Sequence, residues 1–205
     1  MNIKINCHSS ICIDEEFYFD PFDVDDKPQN AKIIFTTHSH FDHLDIKSIR
    51  KVMNDKTIFV CTKDSKKLLE ENFKNEIILV EPNEKGEVLG VKYTTFPAYN
   101  FGHHHFKELG FVGYTVIINN VSYTVCGDTD LTEELAKVKT DVLLVPIGGT
   151  FTMDAQNGAK LANIVRPKLV IPTHYNHIEG TADKSAEKVF LKYLDKNIPY
   201  EFLVK

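Results

Sequence analysis

The chain has 205 residues, 42% of them hydrophobic and 26% charged, a balance that excludes a disordered protein. With 24 Lys and Arg against 29 Asp and Glu the net charge is −5, the wrong sign for a general nucleic-acid binder. No apolar run approaches the roughly 20 residues of a membrane span, and the first 13 residues, with one Lys and no long apolar core, do not read as a signal peptide. A single cytoplasmic domain over 1–205 is therefore expected, with no nucleic-acid or membrane partner.

In chain order, apolar and β-branched runs predict strands at 3–5, 10–13, 17–19 and 32–36. A helical period follows over 46–53, with Asp45 as its cap. Next come a strand at 57–61, a helix at 63–73 capped by Asp64, and strands at 77–80, 88–96, 111–118 and 122–125. The remainder predicts a helix at 132–138, a strand at 142–145, a helix at 155–165 capped by Thr152 or Asp154, a strand at 169–171, a helix at 183–194 and a strand at 200–204. Strands interleaved with helices in this way point to sheet layers covered by helices. Polar clusters fall in the loops 37–44, 100–110, 127–131, 148–154 and 173–180, each following a strand. Loops at strand ends can share one rim of a fold, where sites tend to sit.

Four cysteines, Cys7, Cys12, Cys61 and Cys126, are scattered without a C-x-x-C pair, so a zinc finger fails and reduced thiols are expected. Histidine is the unusual residue: eight of nine lie in three short stretches. Residues 37–44 read Thr-His-Ser-His-Phe-Asp-His-Leu, a pattern expected by chance on the order of once in a thousand such chains. Two positions apart past a strand end, His38 and His40 can point to one side, while Asp42 and His43 can aim at a neighbouring point. Imidazole and carboxylate donors suit Zn²⁺, and also Mn²⁺, Fe²⁺ or Ni²⁺. Asp128, in Cys-Gly-Asp-Thr-Asp after a strand, is a carboxylate able to bridge two cations. His174, in Pro-Thr-His-Tyr-Asn-His, also follows a strand and is a candidate ligand. One of His103, His104 and His105 can complete a three-His set with His38 and His40.

These residues resemble the metallo-β-lactamase superfamily. Its His-x-His-x-Asp-His hallmark stands as His38-Ser39-His40-Phe41-Asp42-His43, and its later ligands match Asp128 and His174. Phe19-Asp20-Pro21 is similar to the family's early strand ending in Asp-Pro. The stretches around His8, Ala98-Tyr99-Asn100, Gly127-Asp128, Pro146 to Met153 and Pro172 to Tyr175 resemble one branch, small metal-dependent hydrolases related to ascorbate-6-phosphate lactonase and N-acylphosphatidylethanolamine phospholipase D. In that branch one His follows the Asn by about six positions and precedes Val-Gly-Tyr. Phe106 stands at that offset here, but counting back from Val112-Gly113-Tyr114 selects His105, with His103 and His104 kept as alternatives.

The resemblance implies an α/β protein, a four-layer αββα sandwich with two divalent metal ions at one edge, zinc first. It implies one ion on His38, His40 and His105, a second on Asp42, His43 and His174, and Asp128 bridging them. The activity implied is hydrolysis by a metal-bound hydroxide of a small-molecule ester, lactone or phosphodiester, with Asp42 and Asp128 as its catalytic carboxylates. Asp20, Thr37, Asp130 and Thr173 are expected to orient ligand imidazoles, and His8, Asn100, Tyr175 and His177 to face the substrate. Cys126 is expected to be a small buried side chain. The competing functions are a diiron redox protein, against which His40 stands because redox members carry Glu there, and a non-catalytic metal-binding module.

Overall fold

The computed structural model describes residues 2–102 and 104–204, which fall into two compact units, one ending at Glu81 and one beginning at Pro82. The first unit is a six-stranded sheet in sequential order: β1 (Ile3–Ile5), β2 (Ile11–Ile13), β3 (Phe17–Phe19), β4 (Ile33–Phe35), β5 (Ile58–Cys61) and β6 (Ile77–Leu79). The first three strands are antiparallel, and β3 to β6 run parallel. Parallel strands are buried on both faces and read as unbroken apolar runs. Accordingly, every residue of β3 and β4 is buried. Helices α1 (Ile46–Val52) and α2 (Lys63–Asn72) supply Ile49, Val52 and Leu69 to a cluster with Ile34 and Phe59.

The second unit is another six-stranded sheet, ordered β12-β11-β10-β9-β8-β7. Its strands are β7 (Lys85–Val88), β8 (Val91–Pro97), β9 (Val112–Ile118), β10 (Val121–Val125), β11 (Val142–Pro146) and β12 (Leu169–Thr173). Strands β7 to β10 form antiparallel hairpins, and β10, β11 and β12 are parallel. Helix α3 (Ala155–Val165) packs on β11 and on α4 (Ser185–Tyr193). Gly158 permits that approach, because a Cβ there would lie 2.8 Å from Ile147. The parallel trio is tied at its start by Asp141, whose carboxylate accepts from Ser122 N and Oγ at 2.8 Å and pairs with Lys168 at 2.8 Å. Those bonds, the one from Lys168 first, hold its pKa down at about 2.

Most predicted elements form, and the departures have physical causes. The expected strand at 88–96 is a hairpin, β7 and β8, closed by Leu89 (φ 49°) and Gly90 (φ 80°). Two positive φ values give the tight turn whose twist matches paired strands. The helix expected at 132–138 shrinks to a single 3₁₀ turn, Leu135–Lys137. The strand expected at 200–204 is reduced to an isolated bridge of Tyr200 to Val170, beside Pro199, which has no N–H to extend a ladder. Asp45 and Asp154 cap their helices as expected, accepting from Ser48 N and Asn157 N. Asp64 does not cap α2; its carboxylate accepts from Ser39 N at 2.8 Å instead. Among the described residues no helix is long and apolar enough to cross a membrane.

Candidate metal centre

In the first unit, parallel pairing of β3, β4 and β5 puts their C-terminal ends on one sheet edge, the usual place for a site in such sheets. Asp20 follows β3, Thr37 to His43 follow β4, and Asp64 follows β5. Because β2 is antiparallel to β3, the turn from β1 to β2, which holds His8, reaches the same edge. The motif loop is shaped by a turn in which His43 N and Leu44 N both donate to His40 O. Asp64 fixes its other limb at Ser39.

Asp20 is the organising charge of this edge and is 0% exposed. Its Oδ1 accepts from Thr37 N at 2.8 Å, and its Oδ2 accepts from Thr37 Oγ1 at 2.8 Å and faces His43 Nδ1 at 2.8 Å. The Asp20 carboxyl is raised above the usual carboxylate range, burial being the main cause, with His43 and Thr37 offsetting only part of it. A carboxylate only accepts, so His43 carries its proton on Nδ1. The Thr37 hydroxyl spends its proton on Asp20 and therefore accepts from His38 Nδ1, 3.0 Å away. One carboxylate and one hydroxyl thus set the tautomer of two imidazoles and leave the lone pair of each on Nε2. Metal-ligating histidines are typically held by their other nitrogen in this way. The rings of His38 and His43 lie 4.1 Å apart, and His40, which is exposed, packs edge-on to His38 at 4.5 Å. His43 Nε2 is 3.3 Å from Asp42 Oδ2.

In the second unit the same rule applies to β10, β11 and β12, whose C-terminal ends share an edge. Asp128 follows β10, Gly148 follows β11 and His174 follows β12. The loop joining antiparallel β8 and β9 reaches this edge too and brings His105. Asp128 splits its oxygens between two histidines: Oδ1 is 3.0 Å from His174 Nε2, and Oδ2 is 4.0 Å from His105 Nε2. His105 is 1% exposed, whereas His104 is exposed, has φ 63° and stacks edge-on against Phe151 at 4.7 Å. His103 lies outside the described residues. Asn100 pins His105 by donating from its N–H to His105 O at 2.8 Å, and its side chain donates to Phe151 O at 3.0 Å.

One expectation about a supporting residue changes. Asp130 bonds the loop that carries His105 rather than a candidate ligand imidazole: it accepts from Phe101 N at 2.7 Å and Asn100 Nδ2 at 3.3 Å. His8, Asn100 and Tyr175 are buried, and His177 is exposed. Tyr175 donates its hydroxyl to Glu187 at 2.7 Å, and burial pushes that phenol's pKa up. His8 sits with Nε2 3.2 Å from Asp42 Oδ2. Cys126 is fully buried, and burial pushes its thiol up, which makes it a poor nucleophile. Phe41, between two motif donors, is 67% exposed and meets Phe22 edge-on at 5.9 Å. From sequence Asp64 reads as a helix cap and Phe41 as an apolar residue inside a polar motif, so neither is singled out as part of this edge.

The donor chemistry fits divalent cations: imidazole nitrogens beside carboxylate oxygens in each unit, with the tautomers of His38 and His43 fixed by Thr37 and Asp20. A profile of the beta-lactamase superfamily domain matches residues 5–174. The chain belongs to the metallo-β-lactamase superfamily. Within it, the chain is 32% identical over 164 residues to a UPF0173 metal-dependent hydrolase of Saccharolobus solfataricus, covering 76% of this chain and 70% of the relative. It is 31% identical over 195 residues to one of Carboxydothermus hydrogenoformans, covering 86% and 85%. A solved protein described as a metal-dependent hydrolase, from Parabacteroides distasonis, superposes with a TM-score of 0.78 at 25% identity, over 99% of this chain and 93% of that one. This metallo-β-lactamase-type chain is a metal-dependent hydrolase, and its fold class is the α/β sandwich of the superfamily.

Proposed function

We propose that the chain is one hydrolase domain over 1–205 that cleaves a small-molecule ester, lactone or phosphodiester in the cytoplasm with two divalent cations, zinc first. One cation is assigned to His38, His40 and His105, and the second to Asp42, His43 and His174. Asp128 is assigned to both. The family match runs through both compact units, which supports a single domain. Cations bound there would supply Lewis acidity and bring the pKa of a bound water down to about 7, so that no serine or cysteine nucleophile is needed.

The chain's own residues do the rest. Asp20 and Thr37 keep His38 and His43 in the Nε2-donating tautomer. Asp42 and Asp128 are the catalytic carboxylates, placed to accept a proton or to orient the attacking oxygen. Asn100 and Asp130 keep His105 in place. The observation that carries this reading is the buried Asp20–Thr37 pair, which holds two histidines of one loop by the same ring nitrogen. A fully buried carboxylate is costly to place, and here it presents two histidine lone pairs.

The test uses p-nitrophenyl acetate, a simple lactone and bis(p-nitrophenyl) phosphate as probes on purified protein. Chelation is expected to lower hydrolysis of the best probe by at least about 100-fold, and added Zn²⁺ or Mn²⁺ to restore it. Full activity in chelated, metal-free protein contradicts the proposal.

A further inference from the structure

We infer that His8 is a further donor to the cation assigned to Asp42 and His43, an inference that rests on that assignment. His8 lies outside the His-rich loops, in the turn from β1 to β2, yet it is 0% exposed. Its Nε2 is 3.2 Å from Asp42 Oδ2, and His43 Nε2 is 3.3 Å from that same oxygen. One donor atom from each of the three residues falls within 4.8 Å of the others. Donors that sit 2.0–2.2 Å from a common cation stand roughly 3.0–3.5 Å apart. Both separations fall in that range, and the three side chains come from two separate loops to meet there.

The backbone at His8 is built for this placement. It has φ 50°, the left-handed region that a side chain such as His enters only at a cost. The turn is closed by Ser10 N donating to Cys7 O at 2.8 Å and Asn6 N donating to Ser10 O at 2.9 Å. The Asn6 side chain donates to Phe22 O at 2.9 Å and Asp23 O at 2.7 Å, tying the turn to the segment after Asp20. A glycine or asparagine would satisfy that backbone more easily. The imidazole is kept where its Nε2 reaches the carboxylate of the motif.

A Co²⁺ titration of chelated protein, followed by visible absorption, tests this against a role limited to bonding Asp42. His8→Asn keeps a residue that tolerates the left-handed backbone. Its second Co²⁺ equivalent is expected to bind at least about 10-fold more weakly than in the wild type, with a changed ligand-field spectrum. A spectrum identical to the wild type, whatever the affinity, would overturn the inference and leave His8 as a partner of Asp42 only, with the two-cation site standing. A wild type that binds no Co²⁺ would overturn both. If His8→Asn does not fold, His8→Gly is titrated with and without free imidazole. Recovery of the wild-type spectrum on adding imidazole supports ligation by His8, and no recovery overturns it.

Discussion

Asp20→Asn is expected to leave the fold intact while weakening metal binding about 10–100-fold and lowering turnover by at least about 100-fold. The forced orientation of the new amide is the reason. Thr37 N points at the Oδ1 position and needs an acceptor, so the amide oxygen must occupy that place. The NH₂ then occupies the Oδ2 position, against His43 Nδ1 and Thr37 Oγ1. His43 Nδ1 must now accept, which moves its proton to Nε2, the nitrogen assigned to the metal. Thr37 Oγ1 accepts from the amide and turns its own proton toward His38 Nδ1, so His38 changes tautomer as well. One isosteric change thus removes two ligands without removing a ligand residue. Circular dichroism checks the fold, and metal titration with probe hydrolysis checks the site. Wild-type affinity and turnover in this variant would show that the tautomer lock has no role.

Gly148→Ala is expected to damage both the packing and the assigned site of the chain's second unit. A Cβ at this position would stand 2.2 Å from His174 O and 3.0 Å from His174 Nδ1. The nearer atom is backbone, so no side-chain rotation relieves the clash. His174 itself has φ 58°, directly after β12, and the loop behind it is tied back by Ala182 N donating to Gly148 O at 2.9 Å. Either His174 moves away from Asp128 Oδ1 or the ends of β11 and β12 separate; they pair through Pro146 and Thr173. Overpacking of this kind costs about 1–3 kcal/mol, and displacement of an assigned ligand by 1 Å can cost about 100-fold in rate. Thermal melting and metal content of the folded fraction report the two effects separately. Wild-type metal content together with wild-type activity would place His174 outside the site.

The motif loop stands out because its chemistry is written in residue type, His and Asp immediately after an apolar run, whereas only the spacing to Val112-Gly113-Tyr114 singles out His105 from its neighbours. Helix α3 was legible to the residue because Asp154 caps it and its apolar period is clean. Long-range supports were less legible. Asp64 looks like a cap from its neighbours, yet it bonds Ser39 in another loop. His8 stands thirty-four positions before Asp42, and only strand pairing brings the two together. The hairpin of β7 and β8 was hidden because Leu89-Gly90 interrupts an apolar run without a polar turn residue. The expected strand at 200–204 had the right composition, but Pro199 and a single bridge to Val170 leave it unpaired as a ladder. Sequence pattern thus nominates donors by residue type, whereas packing decides which buried polar residues contact them.

The most direct test of the central claim is elemental analysis of purified protein, metal per chain, with His38→Ala and Asp128→Ala beside the wild type. The dinuclear reading expects about two divalent metals in the wild type and a fall in both variants. A folded wild type that holds no metal after reconstitution, or variants that keep the full wild-type content, would contradict it.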